Sequence, residues 1–425
     1  MSVPGAGARV GRPAPFRLVA AYLVAALVAF LLAAVALLRA APDLAHGWIA
    51  TPDTLLAVHL LALGFLPLAV TGAALHVLPT LLRNSAHAGR GWVAFAGLCA
   101  GPFLAVGVAR HQPELTWATA AAVGIGGLVV AAEVGVLVAR APHGRLLLAS
   151  RAGVGLSALH ALLAFLLGPL LFERMWRPWL GIPHDRLIAI HLHLAVLGWL
   201  TLLIVAVGRT LAPMLALAPS EPARSRPLEE LLLAAGVWVA VAGLAAGRGW
   251  LVAAGDALCV VALARFVGIV VRAARRRRVD AVEGPLAHFL AGLVFLAEAA
   301  VLSAVLLSGS GSPQLDVAYV ALLLLGWAGG VTLGHAGKLL SLSAWTWWPP
   351  GPRPKQGELY HRGLWTASAA AFAVGTQLLA AGALATSTGA VRAGGAALVL
   401  AAAVALGGAV QTLRRAGVAP AGRPL

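Results

Sequence analysis

The sequence predicts an all-α polytopic membrane protein of twelve transmembrane helices, arranged as three repeated four-helix units within one integral membrane domain over residues 1–425. Three observations carry this. The chain is 60% hydrophobic and only 11% charged, with a mean hydropathy of +0.90, which soluble domains do not approach. It holds twelve apolar runs, each matching the roughly 20 helical residues needed to cross a hydrocarbon core of ~30 Å. It also repeats itself: His59, Gly64, Phe65 and Pro79 step forward 134 residues onto His193, Gly198, Trp199 and Pro213, and Gly198 and Trp199 step a further 128 onto Gly326 and Trp327.

The runs are bounded by charges or by Pro and Gly. They cover 16–38, 54–82, 91–110 and 116–140, then 150–172, 187–215, 228–246 and 250–272, then 285–307, 315–343, 363–385 and 390–412. The first has no convincing small-residue cleavage site after it, so it is expected to remain as a span. Units of 16–140, 150–272 and 285–412 follow, and their fourth helices end alike, in GVLVARA from Gly135, GIVVRAA from Gly268 and GAVQTLRRA from Gly408. The linkers SEPARSRP from Ser220, SGSGSP from Ser308 and PPGPRPKQGE from Pro349 are short, polar or Pro-rich, and none is long enough to fold as a soluble domain.

A net charge of +16 invites a nucleic-acid partner, but the basic residues fall on alternate loops: Arg9, Arg12 and Arg17, Arg83 and Arg90, Arg140, Arg145 and Arg151, Arg275 to Arg278, Arg353, Lys355 and Arg362, and Arg414 and Arg415. That is the positive-inside pattern, which makes the lipid bilayer the partner and puts both termini in the cytoplasm. The run Arg275 to Arg278 is read as a topology anchor. Cys99 and Cys259 both lie inside apolar runs, so no disulfide framework, CxxCH haem attachment or thiolate cluster is expected.

Histidine is the metal-ligand type present in quantity, 13 in all. With spans two, six and ten running inward, His59 and His193 form an outer pair. His76 follows His59 by 17 residues, about 25 Å along a helix, and joins His160, His288 and His335 in an inner set. The 128-residue step also carries His160 onto His288. One buried imidazole is satisfied by a backbone carbonyl one turn away; six on repeat-related helices suggest a shared interior. Two neutral imidazoles suit a six-coordinate haem iron, and two or three suit copper. Gly64, Gly198 and Gly326 would admit a flat macrocycle or a close helix. His191 lies about 200° round the helix from His193, so one ligand would not take both.

Glu133, Arg209, Asp256, Arg265, Glu298 and Lys338 are ionisable groups inside spans, a feature of proton and ion paths. They do not recur at the repeat step. Arg209 and Lys338, near the inner ends, would snorkel or pair with a haem propionate.

Twelve helices in three units, histidines on spans two, six and ten, and the phrases HLHLAVLGW and LGHAGKLL together resemble the superfamily of haem-copper oxidase subunit I. Within it the chain is most similar to the NnrS-type haem- and copper-containing proteins of nitric oxide metabolism, the best match being LGHAGK, ending at Lys338. The resemblance implies a bacterial cytoplasmic (inner) membrane protein binding haem b, with copper as a further metal, His59 as a haem ligand, and His193 or His191 as a copper ligand. The chain departs from the pattern where residues 228–246 contain no histidine, where span ten has Tyr319 and Ala321 in place of haem ligands, and where the WHxHE segment is incomplete. Oxygen reduction at a binuclear centre is therefore not expected.

The expected function is respiratory or nitric-oxide-related redox chemistry, with haem bound through His59, His193, His191, His335, Lys338 and Arg209, and metal ligands drawn from His59, His193, His76, His160, His288 and His335. Electrons would come from quinol or an external donor protein. Two other classes stay open: a proton-coupled carrier using Glu133, Asp256 and Glu298 with the inner histidines, and a non-catalytic sensor or scaffold that keeps the fold.

Overall fold

A computed structural model describes residues 11–141, 145–173, 181–215, 218, 227–277 and 282–417. Arg9, Arg278 and residues 220–226 of the first linker lie outside these. Among the described residues there are twelve helices long and apolar enough to cross a membrane, and no strand. They are α1 (Phe16–Arg39), α2 (Pro52–Leu81), α3 (Ala88–Ala109), α4 (Pro113–Ala139), α5 (Arg151–Leu171), α6 (His184–Met214), α7 (Leu228–Ala246), α8 (Gly249–Arg275), α9 (Gly284–Leu307), α10 (Pro313–Thr346), α11 (Arg362–Leu384) and α12 (Thr388–Gly417). The chain is a multi-pass membrane protein.

The helices form because their runs are rich in Ala, Leu and Val, and because inside lipid the backbone must bond within each helix. Several begin with proline in the first turn, where a missing N–H costs nothing: α2 at Pro52, α4 at Pro113, α9 at Pro285 and α10 at Pro313. Ser312 adds a side-chain cap, accepting from the Leu315 N–H at 3.2 Å.

Three helices are not uniformly α. Leu60–Phe65 in α2, His193–Thr201 in α6 and Ala321–Gly329 in α10 are π-helical. Each wide turn contains the glycine found by the repeat step, and each is entered at or one residue after His59, His193 or Ala321. A π turn holds an extra residue and shifts the helix face that follows, a distortion that often marks function. The altered ladder has local support: the Ser157 hydroxyl donates to the Trp199 carbonyl at 2.9 Å, and Trp327 Nε1 donates to Thr201 Oγ1 at 3.0 Å, joining two of the three segments.

The same close approaches recur between neighbouring helices. A Cβ on Gly64 would stand 2.9 Å from Ala29 Cβ, one on Gly198 would stand 3.0 Å from His160 Cβ, and one on Gly326 would stand 2.9 Å from Phe295 Cβ. Eight residues further along, the facing pairs are Gly72 with Tyr22, Ala206 with Gly153, and Gly334 with His288. His160 therefore matches Ala29 and Phe295 in height, whereas His288 matches Tyr22 and Gly153. This corrects the expected equivalence of His160 and His288: the step from α5 to α9 is 135 residues, not the 128 that relates α6 to α10.

Three helical hairpins are also built alike. Gly97 meets Gly126 between α3 and α4, Gly236 meets Gly255 between α7 and α8, and Gly375 meets Gly394 between α11 and α12. At their tips the Gln112, Arg248 and Ser387 N–H groups donate to the Gly107, Gly243 and Gly382 carbonyls at 2.9, 2.8 and 2.8 Å. Helix α1 runs along this assembly. Its start meets the end of α10, where Trp347 Nε1 donates to the Ala14 carbonyl at 2.9 Å, and Phe30 packs on Phe65 and Phe372 at centroid distances of 5.0 and 6.1 Å.

Candidate functional site

The π segments of α2, α6 and α10 frame the first group of histidines. His59 Nδ1 donates to the Leu55 carbonyl one turn back at 2.7 Å, so the proton is fixed there and the lone pair lies on Nε2. From α6, His191 packs against Gly168 of α5, and its Nδ1 is buried without a partner. His59 and His191 are close enough to interact electrostatically. His59 has one ring nitrogen tethered to a carbonyl, which is how a protein orients an imidazole toward a metal, and His191 keeps a buried nitrogen without a partner.

His193 is differently placed. Its Nδ1 faces the Ala189 carbonyl at 2.8 Å and its Nε2 faces Asp256 Oδ1 of α8 at 3.2 Å. Both partners are acceptors, so either the ring carries two protons beside a carboxylate or Asp256 is the acid. Neither nitrogen is left over for a metal in this conformation. That counts against the pairing of His59 with His193 and favours His59 with His191; the two-residue offset that separates His191 from His193 on the helix turns one toward α5 and the other toward α8. Sequence reasoning missed this His–Asp pair because its members are 63 residues apart and only tertiary packing joins them.

The inner set does not converge as one cluster. His160 is fully buried, with Nδ1 donating to the Leu156 carbonyl at 2.7 Å, Nε2 unpartnered, and Trp238 at a centroid distance of 5.5 Å. His288 is buried between Gly334 and Phe372 with neither nitrogen hydrogen-bonded, and it interacts with His335. His335 Nδ1 donates to the Val331 carbonyl at 2.6 Å, leaving Nε2 buried and free. His76 is buried on α2 with Nδ1 unpartnered. His335 lines a cleft between α2, α6 and α10. Among the described residues no three His, Cys, Asp or Glu side chains form a group able to hold a metal.

Most of the intramembrane charges are paired. Arg209 binds Glu229 at 2.8 Å and Glu230 at 3.1 Å, and Arg265 binds Glu229 at 3.0 Å. Lys338 binds Glu283 at 2.8 Å and lies 5.0 Å from the Tyr360 ring centroid. Burial and the nearby Glu283 carboxylate push the Tyr360 hydroxyl above its ordinary range. Arg209 and Lys338 thus already neutralise carboxylates of this chain, so a propionate would have to compete for them. Glu133 binds Arg90 at 2.6 Å and accepts from the His87 N–H at 2.7 Å. Glu298 lies beside Gln377. Asp256 and Arg265 satisfy different partners, not each other.

No family model and no curated protein matches the chain.

Proposed function

We propose that the chain is a bacterial inner-membrane haem protein of the haem-copper oxidase subunit I type, similar to the NnrS branch, with both termini cytoplasmic. Its twelve helices would form three four-helix units, a reading supported by the matched hairpins and the three π segments. Fold alone does not assign chemistry, so the proposal is carried by one observation. His59 on α2 and His191 on α6 are close enough to interact; His59 Nδ1 is held by the Leu55 carbonyl, and His191 Nδ1 is buried without a partner.

The donor set fits: two neutral imidazoles from separate helices suit a bis-histidine iron, and copper accepts the same donors. Bound haem would supply one-electron exchange or a site for a diatomic gas, in keeping with respiratory or nitric-oxide-related chemistry. The chain's own part is to fix the His59 tautomer and to keep water from the site behind apolar helices. Oxidised and dithionite-reduced absorption spectra of the purified protein, with metal analysis of the same sample, test this. Soret and alpha bands at near-stoichiometric haem are expected; a colourless, metal-free protein from haem-replete cells would refute it.

A second reading, proton-coupled transport, is favoured by the His193–Asp256 pair. With both ring nitrogens facing acceptors, the pair holds one proton that a neutral imidazole beside a carboxylate would not. Such buried groups are typical of proton relays. Proton uptake by proteoliposomes lacking any cofactor would support this reading over the first.

A further inference from the structure

Helix α11 exposes a polar group at a depth where lipid offers it nothing. Its residues Ala367, Ala370, Val374, Gln377, Ala381 and Leu384 are all exposed, and their alternating steps of three and four place them on one stripe along the helix. The opposite face, with Trp365, Phe372, Gly375 and Leu379, is buried against the bundle. The stripe is apolar and mostly small except at Gln377. That residue comes 15 positions after Arg362, about 22 Å along a helix of about 34 Å, so it lies near the middle of the span. An amide there has left water and finds no partner among lipid tails, which is an unfavourable state for a hydrogen-bonding group.

The neighbouring helix brings a second such group to the same depth. Helices α9 and α11 start together, since a Cβ on Gly284 would stand 2.9 Å from the Trp365 carbonyl carbon. Glu298 comes 14 positions after Gly284, about 21 Å along α9. It lies beside Gln377, and its Oε2 is buried without a partner. Around the two, Val294 and Val301 of α9 and Val374 of α11 are 55%, 65% and 56% exposed. A polar pair therefore sits inside an apolar, outward-facing surface at mid-membrane, where polar side chains serve to join helices.

We infer that this face joins two copies of the chain, α11 pairing with α11 of the second copy about a twofold axis along the membrane normal. The choice of a second copy follows from the chemistry. Copies inserted the same way place each α11 residue opposite itself at its own depth, so Gln377 meets Gln377, whereas another protein would need a matching polar group at that height. The amide is self-complementary: its carbonyl accepts, and its NH2 has one hydrogen for the opposite Gln377 and one for the Glu298 beside it. Spacing by three and four is the seam of a parallel helix pair, in which one polar residue sets the register. Ala367, Ala370 and Ala381 let the two backbones approach. The inference needs no haem at His59 and His191.

The test is energy transfer between donor-tagged and acceptor-tagged copies of the full chain in liposomes, followed as lipid is added. Transfer of dimer stoichiometry that fades on dilution is expected. Gln377→Leu, which keeps the bulk and loses the amide, should associate about tenfold more weakly, as one or two hydrogen bonds within a membrane provide, and Gln377→Asn should keep part of the difference. Ala381→Phe should abolish transfer, while Val261→Phe, on the exposed side of α8, should leave it unchanged. In native membranes, copper-phenanthroline oxidation should join copies carrying Ala370→Cys or Ala381→Cys, but not the unmodified chain, whose Cys99 and Cys259 lie in α3 and α8. Transfer no greater than that of randomly mixed copies would overturn the inference and leave the face to a helix of another protein. Unchanged association of Gln377→Leu or Ala381→Phe, or cysteine variants that stay unjoined, would overturn it as well.

Discussion

A histidine inside a membrane bundle is defined by what its two ring nitrogens face. In His59, His160 and His335 the Nδ1 proton goes to the carbonyl four residues back, and Nε2 is left as a lone pair. His193 starts the same way but ends on Asp256. The sequence shows that histidines recur on related helices, yet it gives no way to tell a tethered imidazole with a free nitrogen from one that is fully engaged. The distinction depends on α8, which has no place in the repeat of histidines. An expectation follows at this scale. Asp256→Ala strips the acceptor from His193 Nε2 and should cost about 1–3 kcal/mol, and the double variant with His193→Ala should cost less than the sum of the two single changes. Unfolding of the purified variants in detergent would measure this; strictly additive losses would mean the pair is not coupled.

At the scale of elements, the twelve spans were legible because apolar runs of the right length have few other fates in a chain this hydrophobic. The π segments were not. A five-residue spacing from His59, His193 and Ala321 to the following glycine was visible, but hydropathy does not reveal an i→i+5 ladder inside an apolar run. The hairpins were legible only in part: the alike endings of α4, α8 and α12 hinted at them, whereas the glycine contacts required the helices to be paired. These contacts make a clear prediction. A Cβ on Gly394 would stand 2.7 Å from the Gly375 carbonyl oxygen, while a Cβ on Gly407, on the same helix, would meet nothing within 4 Å. Gly394→Ala should therefore destabilise by about 1–3 kcal/mol, and Gly407→Ala should be neutral or stabilise by up to about 1 kcal/mol. Thermal unfolding of the two variants side by side would check it; equal effects would contradict the crossing.

At the scale of the whole molecule, three π-distorted helices face the interior and paired hairpins lie beside them. The most buried span, α10, is 78% enclosed, and α4, α5 and α9 are 28% enclosed. The ionic groups that looked like a transport path from their positions in the sequence turn out mostly to bind one another: Arg209 and Arg265 with Glu229, Lys338 with Glu283, and Arg90 with Glu133. With these carboxylates and cations engaged, the imidazoles with free nitrogens are the unusual feature of the interior. The central claim is that His59 and His191, and not His193, present those nitrogens to a haem iron. The most direct measurement is the reduced absorption spectrum of His59→Ala, His191→Ala and His193→Ala, each beside the unmodified protein. Loss or displacement of the Soret and alpha bands in the first two, with unshifted bands in the third, is the predicted result. Bands unchanged in both His59→Ala and His191→Ala, or lost only in His193→Ala, would contradict it.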